Sequence, residues 1–306
     1  MTVWIARRAL RALGTLLATT LLLFALVRLV PADPAVSIAG PKADPETLAA
    51  IRRDLGLDDA IPLQLARYLA QLGRGDLGRS YVTGRAVRDV ITERVPATVL
   101  LATTSLGLGF LAGLATGLLT AARQGSRTDR VVLVATLVGL SLPVFWIGNL
   151  LVYVFGHRLR WLPLGGSGTL AHLVLPAATL ALYRYFFYAR FVHAHVGATL
   201  GADYVRTARA KGVGPVRVLV VHALRNALIP VVTLLGLDLA ELMSGVVLTE
   251  TVFNWPGLGR LAVDAVFRLD VPVMAGTVLF SATLVVAANL AVDLLYGVLD
   301  PRVQRA

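Results

Sequence analysis

Two acidic residues lie inside an apolar stretch in the last third of the chain. Asp238 and Glu241 are spaced i, i+3, so on a helix they share one face. A carboxylate within hydrocarbon is costly and is therefore a functional candidate. Two interpretations stand: the pair lines a path for a peptide or another cationic solute, or it pairs with Arg184 or with a charge on a partner chain. Two further polar residues interrupt other apolar stretches, Asn149 and Asn289.

Enzymatic chemistry has no visible support in the sequence. The chain has no Cys, no Gly-x-Ser-x-Gly or His-Glu-x-x-His motif and no Walker A sequence. Lys42 and Lys211 do not follow a phosphate-binding glycine loop. His193 and His195 are two apart and point to different helix faces, which disfavours a metal site. We therefore predict no catalytic, cofactor-binding or metal-binding residues in this chain.

The composition is that of an integral membrane protein. Of 306 residues, 57% are hydrophobic and only 15% are charged, against roughly 25% charged residues in ordinary soluble domains. The formal net charge of +11 fits cytoplasmic loops that face anionic lipid better than it fits nucleic acid binding.

Six apolar stretches are long enough to cross a bilayer. Basic residues cluster in the alternate short loops that include both termini, so we expect both termini to be cytoplasmic. The first stretch continues past its apolar core without a cleavage site, which favours a retained helix over a signal peptide. The predicted spans are residues 9–30, 97–122, 131–155, 170–196, 227–248 and 274–299.

These spans predict four parts of the chain. Residues 1–30 hold the cytoplasmic start and the first span, and residues 31–96 form an external region with helical pieces. Asp44 before Pro45 is typical of a helix start there. Residues 97–299 form a five-span core with a cytoplasmic loop at 200–226, and residues 300–306 form a cytoplasmic tail.

Glycine and proline indicate how the spans pack. Gly109, Gly113 and Gly117 recur at every fourth position, which lines one helix face with small residues and favours close packing within the chain. Pro143 should kink the third span.

A basic segment, residues 203–230, separates two spans and has the sequence of two short helices. Asp203 is placed to cap a helix that ends near Arg209 and Lys211, Gly212 can supply a left-handed stop, and Pro215 can start a second helix. The second helix has an apolar stripe with helical spacing. Its members are Val216, Leu219, Val220, Ala223 and Leu224. The segment is either a helix held at the membrane surface by lipid or a docking surface for a partner.

Several motifs support docking by resemblance. They are residues 204–212 (YVRTARAKG), 222–230 (HALRNALIP), 75–80 (GDLGRS), 250–259 (ETVFNWPGLG), 293–296 (DLLY) and 300–302 (DPR). Together they resemble ATP-binding-cassette importer permeases, and within these the first (B-type) membrane subunit of dipeptide, oligopeptide and nickel uptake systems. Against the generic loop pattern of such importers, only Ala208, Gly212 and Leu224 match.

This resemblance implies an all-α, polytopic membrane protein with six transmembrane helices and the type I ABC importer permease fold. It implies a basic segment that docks in a groove on a separate ATPase, with Tyr204, Ala208 and Gly212 filling the groove. Three charged residues would orient this contact, and three further residues belong to the same predicted docking surface. The charged residues are Arg206, Arg209 and Lys211; the others are Asp203, Thr207 and Leu224.

The implied assembly contains this chain, a second homologous permease, two ATPase subunits that bind ATP and Mg²⁺, and an external solute-binding protein, all in or at a lipid membrane. Its cargo would be short peptides, although nickel complexes, glutathione and opines use closely similar permeases. A shaped outer turn is also implied, rather than a Trp at the membrane interface. Its residues are Phe253, Trp255, Pro256, Gly257 and Gly259. The alternative, a self-sufficient secondary transporter or channel, predicts inverted repeats that the sequence does not display.

Overall fold

The computed structural model describes residues 2–29, 33–40 and 42–299, and within these residues the chain is helical and forms no strand. The helices are α1 (Thr2–Leu29), α2 (Pro34–Ala39), α3 (Pro45–Leu55), α4 (Ile61–Gly73), α5 (Val87–Ala122), α6 (Arg127–Ser141), α7 (Val144–Leu151), α8 (Leu170–Leu200), α9 (Asp203–Ala210), α10 (Pro215–Arg217), α11 (Arg225–Met243), α12 (Val247–Val252), α13 (Leu258–Phe267) and α14 (Val271–Leu299). Two stretches are π-helical, Val152–Arg158 and Val218–Leu224. The predicted tail at 300–306 lies outside the described residues.

Four helices of the described chain are individually long and apolar enough to cross a membrane, within α1, α5, α8 and α14. Two bent helix pairs raise the number to as many as six if each pair is one span. The predicted fold class, an all-α polytopic membrane protein, is confirmed. The six predicted spans correspond to these four helices and two bent pairs.

Helix boundaries differ from the prediction where polar residues continue a helix. The second predicted span begins at residue 97, whereas α5 already begins at Val87 and includes Pro96. The fifth predicted span ends at residue 248, whereas α11 ends at Met243. Apolar content marks the bilayer portion of a helix, and the helix itself extends as far as its backbone hydrogen bonds do.

The chain divides into two compact units. Unit 1 comprises Met1–Thr98, Met243–Val247 and Pro256–Ala306, and unit 2 comprises Val99–Leu242 and Leu248–Trp255. In unit 1, α1 and α13 each pack against α14. The first turns of α5 bury apolar side chains with α13 and the start of α14, including Val87, Ile91, Leu261 and Val273.

The external region of unit 1 confirms its predicted helix starts. Asp44 precedes α3 and accepts a hydrogen bond from the Thr47 amide at 2.8 Å, with Pro45 at the first helical position. Gly56 then ends α3 in the left-handed conformation, with φ +62°. These local signals are satisfied within a few residues, which explains why the sequence alone sufficed to find them.

Unit 2 is organised around α8, which packs against α6, α7 and α9. The glycine stripe of α5 also lies on α8, and a Cβ added to Gly113 would lie 2.7 Å from the Cβ of Tyr188. Close packing within the chain is therefore confirmed for this stripe. Pro143 separates α6 from α7, and the axes of the two halves differ by 96°. The predicted kink is thus confirmed as a sharp break.

Candidate functional site

The basic segment forms the predicted pair of short helices around Gly212. Gly212 has φ +80°, the left-handed region in which side chains with a Cβ are strained. Pro215 then occupies the first position of α10. The N-cap of α9 is Ala202 and not Asp203 as predicted, because Asp203 already has helical geometry in the first turn. From there its carboxylate lies 3.6 Å from Arg206.

One face of α9 is turned inward against the rest of unit 2. Val205 and Ala208 are buried, and α9 packs on the π-helical stretch Val218–Leu224. Ala208 thus packs within this chain, and its place in a groove on a partner stays a prediction. Tyr204 remains half exposed, and its hydroxyl accepts a hydrogen bond from Asn226 Nδ2 at 2.9 Å. This bond ties the first half of the basic segment to the second.

The predicted apolar stripe of the second helix is confirmed only in part, because Ala223 is buried and Leu219 and Leu224 are half-buried. Val216 and Val220 are exposed, whereas Val218 and Ala223 are buried. Residues five apart share a face here because the backbone is π-helical between Val218 and Leu224. The predicted stripe assumed α-helical spacing. Leu224, which is half-buried, is the last residue of the π-helical stretch.

The outward surface of the basic segment combines exposed cations with three exposed valines, Val216, Val220 and Val221. On α9 and the following turn the exposed residues include Arg206, Thr207, Arg209, Lys211 and Gly212. Arg217 and Arg225 are exposed on the second half. Asp203 is the single acid of residues 203–230. The segment therefore offers a compact, positively charged surface that suits a partner with complementary acidic groups.

The two acidic residues of α11 both meet Arg184 of α8. Arg184 donates to Asp238 Oδ1 at 2.9 Å and to Glu241 Oε2 at 3.0 Å. The Tyr188 hydroxyl donates to the other oxygen of Asp238 at 2.7 Å. Asp238 is buried, but the Glu241 side chain is 70% exposed. Of the two sequence interpretations, pairing with Arg184 therefore describes Asp238, whereas Glu241 is both paired and accessible.

A second polar cluster, at the cytoplasmic end of the predicted topology, was missed. The buried Asp129 accepts a hydrogen bond from the Gly125 amide at 2.8 Å, and its other oxygen lies 3.4 Å from His193 Nδ1. The same nitrogen lies 3.2 Å from Thr120 Oγ1. Ser126 caps α6 by accepting from the Asp129 amide. The Ser-x-x-Asp spacing was the available signal for this cap. No sequence pattern indicated the contact between Asp129 and His193.

The residues of the predicted outer turn form a compact turn between α12 and α13. Phe253 and Trp255 are buried, and Asn254 between them has φ +53°. The Phe253 carbonyl accepts from the Gly166 amide at 2.8 Å. Trp255 thus packs inside the chain. On the other side of the turn, Gly259 lies so close to Gly245 that a Cβ on Gly245 would be 2.6 Å from its nitrogen. Pro256 and Gly257 lead directly into α13.

A buried carboxylate in unit 1 was also missed by the sequence. Asp270, just before α14, accepts from Ser80 Oγ at 2.5 Å and from the Tyr81 amide at 3.0 Å. Ser80 ends the 75–80 motif, so this motif fastens the external region to the start of the last helix. A separation of 190 residues hides such a contact from local pattern.

The remaining polar candidates of the apolar helices are exposed. Asn149 lies on α7 in unit 2 and Asn289 on α14 in unit 1. Each points away from the packed interior of the chain.

These helices, with polar side chains along them and a folded basic segment between two of them, define a polytopic integral membrane protein. Comparison with known proteins makes the class definite. A family profile described as "Binding-protein-dependent transport system inner membrane component" matches residues 113–305. The profile of the corresponding N-terminal part matches residues 1–102.

Curated relatives match along the whole chain. A probable peptide ABC transporter permease of Sinorhizobium fredii is 38% identical over 99% of this chain and 100% of its own length. The glutathione transport system permease protein of Salmonella paratyphi A is 40% identical over 98% of both chains. A putative peptide transport system permease of Brucella abortus is 40% identical over 99% of both. The chain belongs to the family of binding-protein-dependent transport system inner membrane components.

Proposed function

We propose that this chain is one of two permease subunits of an ATP-driven importer, that it forms half of the pathway for short peptides, and that it couples to separate ATPase subunits. The observation that carries the proposal is the basic segment. Its two short helices are fixed to each other by Tyr204 and Asn226, turn at a left-handed Gly212, and present cations outward.

The basic segment is positioned to transmit motion into the membrane helices. α10, the π-helical stretch and α11 are contiguous along the chain, with a bend of 49° between Leu228 and Pro230. Asp238 of α11 is in turn bound to Arg184 and Tyr188 of α8. A displacement of the basic segment by a closing ATPase dimer would therefore move α11 and α8 together. ATP and Mg²⁺ belong to the ATPase partners, and the helices alternate between inward-open and outward-open arrangements.

Glu241 is the charged residue that we assign to the translocation path. Arg184 contributes one positive charge, while Asp238 and Glu241 contribute two negative charges, and only Glu241 is largely exposed. An exposed carboxylate with excess negative charge suits the ammonium group of a peptide. Asn149, exposed in unit 2, supplies a neutral hydrogen-bonding group for this cargo. Asn289 is a separate candidate, exposed in unit 1.

The proposed assembly includes a second, similar permease, two ATPases and an external solute-binding protein that delivers cargo. Relatives named for peptide and glutathione transport support a peptide-like substrate. The location is the cytoplasmic membrane of a bacterium or archaeon, with both termini inside and residues 31–96 outside.

Gly212→Val tests the coupling function. A β-branched residue is strongly disfavoured at φ +80°, so the turn between α9 and α10 must change. We expect loss of co-purification with the ATPase and loss of ATP-dependent uptake, while membrane insertion stays normal. Gly214→Ala is the matched control, because Gly214 has φ −63° and its Cβ would meet nothing within 4 Å.

Gly212→Asn separates conformation from bulk, because Asn tolerates the left-handed region. If the turn conformation is what docking requires, Gly212→Asn retains most of the co-purification that Gly212→Val loses. Normal ATPase binding and normal uptake in Gly212→Val would refute the assignment of the basic segment.

A further inference from the structure

Unit 1 contains a cavity of about 160 Å³ between the loop after Ser80, the first turns of α5, and the junction of α13 with α14. Part of the cavity wall is apolar and includes Val90, Leu261 and Val273. In the six-span topology this cavity opens on the outer face, where cargo arrives. Its charged lining residues are Arg85, Glu93, Arg94, Asp264, Arg268 and Asp270.

The floor of the cavity is rigid. Asp270 and Ser80 are each only 4% exposed, and Asp270 uses both carboxylate oxygens to bind Ser80 and the Tyr81 amide. Ser80 Oγ in turn accepts from the Thr83 amide at 2.9 Å. The carboxylate of Asp270 is therefore engaged by the loop itself and holds the cavity wall in place.

The other two acids of the lining also have cationic neighbours. Arg85 binds Glu93 through two guanidinium nitrogens, one of them at 3.0 Å. Asp264 lies 3.7 Å from Arg260, one turn earlier on α13. Glu93, Asp264 and Asp270 thus each have a partner other than Arg94 or Arg268. Arg94, the next residue in the chain, also attracts Glu93 electrostatically.

Arg94 and Arg268 remain as the cations of the cavity to which no ion pair is assigned among residues 2–29, 33–40 and 42–299. Arg94 is half-buried on α5, and Arg268 is exposed at the end of α13. Guanidinium groups bind carboxylates through two parallel hydrogen bonds, and an apolar wall strengthens such a bond by excluding water.

We propose that this cavity is a carboxylate-binding site in which Arg94 and Arg268 are the binding residues, above the floor set by Asp270 and Ser80. The carboxylate comes either from the C-terminus of the cargo peptide or from an acidic side chain of the solute-binding protein. The origin of the carboxylate rests on the proposed function. The binding site itself does not.

The lack of cysteine in the chain makes a direct binding experiment possible. Thr83 lines the cavity and is exposed, and its amide rather than its hydroxyl makes the contact with Ser80. Thr83→Cys therefore accepts a single environment-sensitive fluorophore at the cavity. The probes are acetyl-Ala-Ala, which carries a carboxylate, and acetyl-Ala-Ala-amide, which does not, added to the labelled chain in lipid nanodiscs.

If the cargo supplies the carboxylate, acetyl-Ala-Ala changes the fluorescence saturably and the amide does not. The double variant Arg94→Gln/Arg268→Gln should weaken this binding at least tenfold, and Arg94→Lys/Arg268→Lys should restore part of it. Arg88→Gln is the matched control, since Arg88 is exposed on the same turns of α5 and does not line the cavity.

If the solute-binding protein supplies the carboxylate, neither peptide changes the fluorescence. The Arg94→Gln/Arg268→Gln variant in nanodiscs should then bind the transporter's own solute-binding protein with at least tenfold lower affinity than the Arg88→Gln variant does. Equal responses to acid and amide, or no dependence of either assay on Arg94 and Arg268, would overturn the proposal. Neither assay uses ATP or an ATPase, so failure of the coupling function leaves these outcomes readable.

Discussion

Tyr188 and Asp238 share a buried hydrogen bond of 2.7 Å that joins α8 to α11. Arg184, one turn before Tyr188, binds the other oxygen of the same carboxylate. α11 follows the basic segment in the chain, so this contact links the basic segment to α8. The two acids that bind Arg184, Asp238 and Glu241, have different surroundings, and the effect of this difference on stability can be measured.

Asp238→Ala should destabilise the protein much more than Glu241→Gln. Removing Asp238 leaves Arg184 buried without its main partner, which costs about 3–5 kcal/mol. The Glu241 side chain is 70% exposed, and an exposed pair contributes about 1 kcal/mol or less. Thermal unfolding in detergent would measure both.

Arg184→Met combined with Asp238→Leu is the control for that experiment. It removes both charges together, so it should lose less stability than Asp238→Ala alone. Equal unfolding temperatures for Asp238→Ala and Glu241→Gln would contradict the prediction.

Gly113→Ala should destabilise unit 2 by about 1–3 kcal/mol, the usual cost of overpacking. The new Cβ would lie 2.7 Å from Tyr188 Cβ and 3.0 Å from the Ala189 nitrogen, so α5 and α8 must separate. Gly107→Ala on the same helix meets nothing within 4 Å and should be neutral or slightly stabilising. The ratio of folded to aggregated protein after heating distinguishes them. A larger loss for Gly107→Ala would show that α5 does not pack as described.

Asp270→Ala should release the loop after Ser80. Two hydrogen bonds to a buried carboxylate are lost, at about 1.5–3 kcal/mol each. Trypsin should then cleave after Arg79 or Arg85 faster than in the wild type. Thr92→Ala removes an exposed hydroxyl on α5 instead, and cleavage at its normal rate is expected. Unchanged cleavage in Asp270→Ala would mean that the loop is held by other contacts.

The start of α3 should respond to pH through Asp44. Backbone and side-chain hydrogen bonds from Thr47 lower the pKa of Asp44 below its ordinary value of 3.8. A lowered pKa stabilises the folded state above the ordinary value, and this stabilisation disappears as the pH falls through the lowered one. Amide exchange of residues 45–55, corrected for its intrinsic rate, should be constant from pH 7 to 5 and rise below about pH 4.

Asp44→Asn keeps an N-cap acceptor without a titrating group. It should therefore remove the acid-dependent rise and leave exchange at neutral pH nearly unchanged. A wild-type rise centred near pH 6 would assign the effect to another group.

The features that the sequence predicted well are determined by neighbouring residues. Pro143 breaks the helix in which it lies, Gly212 permits a left-handed turn, and Asp44 caps the residues that follow it. The glycine stripe of α5 belongs to the same group, because spacing alone indicated a close contact although not its partner, α8.

The features that it predicted poorly depend on distant residues or on an unusual backbone. Ser80 and Asp270 meet across most of the chain, and Asp129 meets His193 from another helix. Ala208 carries no mark that distinguishes a buried alanine from one at an interface. The π-helical stretch has the same residue types as an α-helix, so its different period could not be recognised.

The π-helical stretch Val218–Leu224 also determines where the protein can tolerate the deletion of a residue. A residue removed from an α-helix rotates everything beyond it by about 100°. A π-helical stretch contains surplus chain relative to an α-helix, so one residue lost here can be absorbed by converting the stretch to α-helix. A single-codon deletion between residues 218 and 224 would then leave Asp238 facing Arg184, whereas the same deletion between residues 231 and 237 would turn it away. Length variation within this part of the protein should therefore concentrate in those seven positions.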